Sequence, residues 1–143
     1  MAYYKDLREH IKALEAHNKL VRIKREINKD TELHPLVRWQ FRGLPEEERK
    51  AFLFENVVDV KGRKYEIPVL VAAHAASIEI YALAMMSEPE CIMEKWEQAQ
   101  LHPVKPKIVA HGPVHEEVHL GDNLLEHGGL DEFPIPISTP GFD

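Results

Sequence analysis

The stretch His111-Gly-Pro-Val-His-Glu-Glu-Val-His119 decides how this chain is interpreted, because it is compatible with two different structures. The first is a metal-binding helix in which His115 and His119 bind zinc and Glu116 acts on the bound water. Only a helix brings imidazoles at positions i and i+4 to one face. The second is a half-buried strand that leads into the Pro-rich segment Phe133-Pro-Ile-Pro-Ile-Ser-Thr-Pro140.

The residues that flank this stretch favour the strand. Gly112-Pro113 and Gly121-Asp122 leave about eight residues for a helix, and helices shorter than ~10 residues are marginal without strong packing. The two valines between them are β-branched and weakly favour a strand. On a strand, His115 and His119 lie ~13 Å apart and cannot share one metal ion. We therefore predict a strand with solvated histidines, and keep a zinc site at His115 and His119 as the alternative.

Composition places the chain among ordinary soluble proteins. It has 143 residues, 44% hydrophobic and 29% charged, with a net charge of −6. This charge argues against a nucleic-acid or anionic-membrane surface. We therefore predict that the chain does not bind nucleic acid. A single cysteine, Cys91, excludes an internal disulfide and fits a reducing compartment. Since no apolar run approaches ~18 residues, we also predict a cytoplasmic protein without a membrane span.

Hydrophobic periodicity predicts an α/β domain, with a mixed sheet flanked by helices. The predicted helices cover Asp6–His17, Asp30–Phe41, Ser77–Met86 and Ser87–Gln100. The predicted strands cover Leu20–Ile27, Ala51–Val57 and Ile67–Ala73. The last two strands are apolar on both faces, so we expect them to be central in a covered sheet.

The segment His102-Pro-Val-Lys-Pro106 is the best domain boundary, because two close prolines end a helix and stiffen a link. It separates an N-terminal α/β domain, residues 1–105, from residues 106–143. There we expect strands at 108–110 and 111–119, a turn at Gly121-Asp122 and an extended stretch at Phe133–Ile137. These residues would begin a second, β-rich domain that the chain leaves incomplete.

Motifs for common chemistries are absent from the sequence. There is no G-x-G-x-x-G, no Walker A motif and no G-x-S-x-G. Ser138-Thr139 and Asp143 do not form a triad by themselves. The residues alone therefore assign no catalytic group.

Several short strings, in this order, resemble a known family. They are Tyr4-Lys-Asp-Leu-Arg8, Leu20-Val-Arg-Ile23, Phe52-Leu-Phe-Glu-Asn56, Ile67-Pro-Val-Leu70, Ile80-Tyr-Ala-Leu-Ala84, Gly112-Pro-Val-His-Glu116 with Gly121-Asp122, and Leu130 with Phe133-Pro-Ile-Pro136. Together they resemble the N-terminal part of the UbiD-type decarboxylases, relatives of 3-octaprenyl-4-hydroxybenzoate carboxy-lyase. The resemblance covers nearly the whole chain.

The resemblance implies an enzyme that adds or removes CO2 at an aromatic or unsaturated carbon. Such enzymes use prenylated FMN with a divalent metal (Mn or Mg) and potassium, and combine an N-terminal α/β domain, a split-barrel flavin domain and an oligomerisation domain. The family's cofactor ligands and its catalytic Arg and Glu lie beyond Pro140-Gly-Phe-Asp143. No catalytic, cofactor-binding or metal-binding residue is therefore assigned here, and we expect the chain alone to bind no cofactor and to be inactive.

Three interpretations follow from this resemblance: a fragment of a longer enzyme, a separate N-terminal subunit of a larger catalytic partner in a homo- or hetero-oligomer, or a remnant with a binding role. The expected substrate is an aromatic carboxylic acid, with heteroaromatic, polyprenylated and acrylic acids open. A small zinc hydrolase using His115, Glu116 and His119 is the competing enzyme, and a non-catalytic interaction module is the third class. If the second domain is incomplete, apolar side chains after about Pro106 should be exposed.

Overall fold

A computed structural model describes residues 3–138 of the chain. Thr139, Pro140 and Asp143, which were considered above, lie outside the described residues. The helices are α1 (Leu7–Ala16), α2 (Leu33–Gly43), α3 (Ile78–Met85), α4 (Ile92–Leu101) and α5 (Asp122–Glu126). The strands are β1 (Leu20–Ile23), β2 (Ile27–Asn28), β3 (Ala51–Phe54), β4 (Val57–Val58), β5 (Lys64–Tyr65) and β6 (Val69–Val71).

The strands form two small mixed sheets of three strands each. In the first sheet, β3 lies in the centre, parallel to β1 and antiparallel to β6. In the second sheet, β4 lies in the centre, parallel to β2 and antiparallel to β5. The predicted strand 20–27 is therefore divided into β1 and β2, and the predicted strand 51–57 into β3 and β4. In each case the first half belongs to the first sheet and the second half to the second sheet. The α/β class is confirmed.

Two apolar clusters form the core, and strand β3 supplies side chains to both. Ala51 packs with Leu14 of α1 and Ile80 of α3. Phe54 packs with Ile27 and Val37, which brings α2 onto the other cluster. The central position predicted for 51–57 is confirmed. It is wrong for 67–73, where β6 is a half-buried edge strand.

Helix α1 begins as the sequence predicts, but buries a different face. The Asp6 carboxylate accepts a hydrogen bond from the Glu9 N–H at 3.0 Å. The spacing of Leu7, Ile11 and Leu14 predicts one apolar stripe along this helix. In the structure Leu7 is 53% exposed, whereas His10 is buried beside Leu14. His10 Nε2 donates to the Ala73 carbonyl at 2.9 Å, which fixes the proton on that nitrogen. The buried face of α1 thus includes a polar contact to the loop after β6.

Helices α2 and α4 start later than predicted, whereas α3 starts where the sequence predicts. Neither Asp30 nor Thr31 caps α2; instead both donate their N–H groups to the Asn28 side chain, and α2 starts at Leu33. A 3-10 turn, Pro89–Cys91, replaces the expected start of α4, and Trp96 on α4 is 44% exposed. Ser77 does cap α3, by accepting a hydrogen bond from the Ile80 N–H at 3.2 Å.

Residues 102–138 differ most from the prediction. They form a 3-10 turn at Pro113–His115, helix α5, and a second 3-10 turn at Gly129–Glu132. The predicted strands 108–110 and 111–119 are wrong, and the expected turn at Gly121-Asp122 starts α5. An isolated strand leaves its backbone groups unpaired, and no sheet edge of the described chain accepts this segment. The first strands of a split-barrel domain are therefore not formed within 106–138. Within residues 3–138 no helix combines the length and apolarity that a membrane crossing requires.

Gln40 joins α2 to the start of β3 through a pair of hydrogen bonds. Its amide nitrogen donates to the Lys50 carbonyl at 3.0 Å, and its amide oxygen accepts from the Lys50 N–H at 2.9 Å. The side chain is only 4% exposed. Gln40 therefore pairs the backbone just before β3 as a neighbouring strand would.

We predict that Gln40→Leu lowers the free energy of unfolding by about 1–3 kcal/mol, because it leaves the partly buried N–H and C=O groups of Lys50 without these partners. Urea denaturation followed by circular dichroism measures this change. Gln98→Leu, on the exposed side of α4, is the matched control and should be nearly neutral. Equal stability of the two variants would contradict the assigned role of Gln40.

Candidate functional site

The segment 102–138, hereafter the tail, carries half of the exposed large apolar side chains found within residues 3–138. Val104 and Ile108 are 93% and 95% exposed, almost as in an unfolded chain. The other members are Val109, Val114, Val118, Leu120, Leu124, Leu125, Leu130, Phe133 and Ile135. The exposure expected after Pro106 is thus confirmed, and it makes the tail the candidate interaction surface of the chain.

The tail contacts the folded domain again near its end. Pro134 is buried, and the Ser138 carbonyl accepts a hydrogen bond from Arg38 of α2 at 3.4 Å. Asp131 lines a cavity of about 230 Å³ together with residues of the loop between β4 and β5. The tail is therefore anchored at both ends, by α4 and by residues 131–138. Nothing in the sequence signals these contacts, since Arg38 and Ser138 lie 100 residues apart.

Polar contacts hold the loop at that cavity in place. The Asp59 carboxylate accepts hydrogen bonds from the N–H groups of Arg63 at 2.9 Å and Lys61 at 2.8 Å, and from the Tyr65 hydroxyl at 3.3 Å. The Arg63 N–H is the largest of the causes that lower the pKa of Asp59. Asp30 accepts from the backbone of the same loop. Asp30 and Asp59 thus hold the loop in place, and the cavity lies between this polar loop and Asp131 of the tail.

The His-Glu-x-x-His stretch forms neither of the structures considered for it. His115 ends a 3-10 turn, Glu116 follows it, and His119 lies in irregular chain before α5. The helix that a zinc-protease site requires is absent from the described stretch. No group of three or more His, Cys, Asp or Glu side chains within residues 3–138 has a geometry suited to a metal ion.

His119 instead organises a local cluster. Its Nδ1 donates to the Asn123 amide oxygen at 2.9 Å, and its Nε2 lies 3.6 Å from a Glu117 carboxylate oxygen. The ring of His127 packs against it with centroids 3.9 Å apart. Both ring nitrogens of His119 thus face acceptors, an arrangement fully satisfied only by the protonated imidazolium.

This environment raises the pKa of His119. The hydrogen bond to Asn123 is the largest cause, followed among the favourable ones by the Glu117 carboxylate. A group whose pKa is higher in the folded state stabilises that state fully below its unfolded pKa. The contribution is lost as the pH rises through the folded pKa. The cluster around His119 is therefore most stable on the acid side of the raised pKa of His119, where the imidazole is protonated.

A cavity of about 350 Å³ lies between the end of α1 and α3. Lys19 is its one lysine, but the Glu79 carboxylate and the Glu47 carbonyl bind its ammonium group. These two acceptors hold the ammonium group within the chain, so we assign it no role as a base or nucleophile.

The N-terminus of α3 is occupied by groups of the chain itself. The Glu46 carboxylate accepts a hydrogen bond from the Ile78 N–H at 2.7 Å, beside the cap that Ser77 gives to Ile80. The free N–H groups of a helix start are the usual site for a phosphate, and a carboxylate already there repels one. The sequence did not reveal this contact, because Glu46 and Ile78 are 32 residues apart.

We predict that Glu117→Gln lowers the pKa of His119, because it removes the carboxylate that faces Nε2. An NMR titration of the imidazole protons measures the shift. Glu116→Gln is the matched control, since it removes a neighbouring exposed carboxylate. A wild-type His119 that titrates at or below the ordinary value for histidine would contradict the described cluster.

Comparison with known proteins gives concordant results for sequence and structure. The profile of the 3-octaprenyl-4-hydroxybenzoate carboxy-lyase N-terminal domain matches residues 11–100. An uncharacterized protein of Aquifex aeolicus (strain VF5) is 32% identical, in an alignment that covers 86% of this chain and 28% of that protein. The chain thus spans less than a third of the length of that curated relative.

Solved structures agree with this assignment. The UbiD-class enzyme HmfF from Pelotomaculum thermopropionicum matches in two structures. An evolved dimeric form in complex with prFMN has 26% identity and a TM-score of 0.67, over 96% of this chain and 29% of that chain. A complex with FMN has 27% identity and a TM-score of 0.65, over 94% and 27%.

The vanillic acid decarboxylase of Sedimentibacter hydroxybenzoicus, in open form, has 25% identity and a TM-score of 0.58, over 76% of this chain and 22% of that chain. Because the family profile covers well over half of the sequence and these folds agree with it, the chain belongs to the UbiD family of carboxy-lyases and corresponds to its N-terminal domain.

Proposed function

We propose that this chain is the N-terminal domain or subunit of a UbiD-like non-oxidative decarboxylase or carboxylase that acts on aromatic or unsaturated carboxylic acids in the cytoplasm. In this proposal the chain is not active alone. The catalytic groups belong to the remainder of the enzyme or to a larger catalytic subunit, on which the chain docks through its tail.

The exposed apolar surface of the tail carries this proposal. Side chains such as Ile108, Val114 and Leu120 remain more than three-quarters exposed, although each would stabilise a folded protein if buried. The family profile ends at residue 100, close to the domain boundary proposed at residue 105. Residues 106–143 would then be the start of the second, flavin-binding part, which becomes ordered against its missing neighbours.

The described residues do not fit the cofactors of the complete enzyme. No metal-ligand set of three side chains exists within 3–138, so the divalent metal finds no site there. At the start of α3, a kind of position that can bind a phosphate, the Ile78 N–H already donates to the Glu46 carboxylate. Prenylated FMN, Mn or Mg, and potassium would therefore bind to the partner part. No catalytic step is assigned to the residues of this chain.

Native mass spectrometry of the protein from its own source tests the proposal most directly. The expected result is a complex of this chain with a larger chain and a prenylated flavin, or a longer polypeptide that contains this sequence. A free 16.5 kDa species without flavin would contradict the proposed role. A mass increment of one zinc on that species, lost on His115→Ala, would instead support the small zinc hydrolase.

A second prediction concerns the tail directly. We expect the isolated chain to bind a hydrophobic dye, and the combined change Val118→Ser, Leu120→Ser and Leu124→Ser to reduce both this binding and co-purification with a flavin-bearing partner. Leu7→Ser with Ile67→Ser is the control, since these apolar side chains are exposed outside the tail. If the control variant loses as much partner as the tail variant, docking does not occur through the tail.

A further inference from the structure

Helix α2 presents a basic and aromatic face to solvent. Arg38 and Arg42 lie one turn apart, and Trp39 beside them is 75% exposed. Trp39, Arg42 and Gly43 line an open cavity of about 290 Å³. Among residues 3–138 no carboxylate pairs with either arginine. Tryptophan and arginine are the residues most enriched at the energetic centres of protein interfaces, so this face has the composition of one.

Helix α4 presents a face of the opposite character. Met93, Glu97 and Leu101 recur at every fourth position, and Glu94 lies on the same side. Met93 is 77% exposed and Leu101 is 63% exposed. Neither glutamate pairs with a cation within the described part of the chain. Ile92 is the one buried residue of this ten-residue helix, so most of its surface has no partner.

The two faces belong to different parts of the domain. Helix α2 packs on the cluster that contains Ile27 and Phe54. Helix α4 is joined to α3, through the hydrogen bonds from Trp96 to the Tyr81 hydroxyl and from Lys95 to the Met85 carbonyl. Both faces are exposed in the same molecule, so they do not cover one another within one chain.

We propose that the α2 face of one copy of this chain binds the α4 face of a second copy. The arginines then lie against Glu94 and Glu97, and Trp39 packs against the apolar side chains of α4. Each face has one sign of charge, which disfavours pairing of α2 with α2 or of α4 with α4. The contact is therefore head-to-tail, and such contacts repeat into closed rings or open chains. Within residues 3–138, Trp39 and Arg42 line a cavity to which the tail contributes no residue, whereas Arg38 also donates a hydrogen bond to the Ser138 carbonyl at 3.4 Å. The inference does not depend on the proposed function.

Charge reversal on the two faces tests this contact. Sedimentation equilibrium of the 143-residue chain, from micromolar to millimolar concentration, should show self-association that weakens as salt is added. The variant with Arg38→Glu and Arg42→Glu should associate at least about tenfold more weakly, since like charges then oppose each other across the contact. The variant with Glu94→Arg and Glu97→Arg should show the same loss.

Combining all four substitutions gives the decisive variant. It restores opposite charges across the contact, so its association should return toward that of the wild type. Lys12→Glu with Lys24→Glu changes the net charge as much as the α2 variant does, at exposed positions elsewhere, and serves as the control. Circular dichroism verifies that every variant is folded.

Three results would overturn the proposal. They are a monomeric wild type throughout the concentration range, an equal loss in the lysine control, or failure of the folded four-site variant to regain association.

Discussion

Backbone pairing of strand β3 on both of its edges is the constraint on which the rest of the domain depends. The strand holds β1 on one side and β6 on the other, and the chain continues from it into β4, the centre of the second sheet. Its four residues send Ala51 into one core cluster and Phe54 into the other. A shift of one residue in register would exchange these faces and empty both clusters. The pairing of Gln40 with Lys50 immediately before the strand fixes that register against α2.

The domain distributes its burial unevenly around this centre. Helices α1, α2 and α3 bury side chains against the sheets, whereas α4 buries only Ile92 and the tail buries little besides Pro134. Stability should therefore fall from the β3 region toward the C-terminal end of the chain, since local stability follows buried contacts. Surfaces available to partners concentrate where burial is poorest. The α2 face is the exception, because that helix is well packed on one side and presents Trp39 on the other.

Sequence patterns predicted the features that depend on nearby residues. The predicted helix starts at Asp6 and Ser77 agree with α1 and α3, and in each case the side chain caps the helix by a contact within one turn. The breaks after Ile23 and Phe54 were not predictable, because both depend on the pairing of two strands that are distant in sequence. The pairing of β1 with β3 ends at these residues, and the pairing of β2 with β4 begins a few residues later. The hydrogen bond from Ile78 to Glu46 likewise joins residues with no local pattern between them.

The alternation in residues 111–119 led to a wrong strand for a related reason. A strand pattern specifies a strand only when another strand lies alongside, and none does in residues 3–138. At the candidate site, the exposed apolar character of the tail was predicted from the expectation of an incomplete second domain after Pro106. The cluster of His119 with Asn123 and Glu117 was not, since it requires α5 to form.

The anchoring of the tail at both ends affects the entropy of any docking event. A free terminal segment of this length loses all of its conformational freedom when a partner orders it. The tail is closed into a loop by α4 and by the contacts of Asp131, Pro134 and Ser138. It has therefore lost part of its conformational entropy on folding already, and the entropy lost on loop closure grows with the logarithm of the loop length. A partner that fixes residues 104–130 therefore incurs a smaller entropic cost, and it binds more tightly than it would bind a free segment with the same buried area.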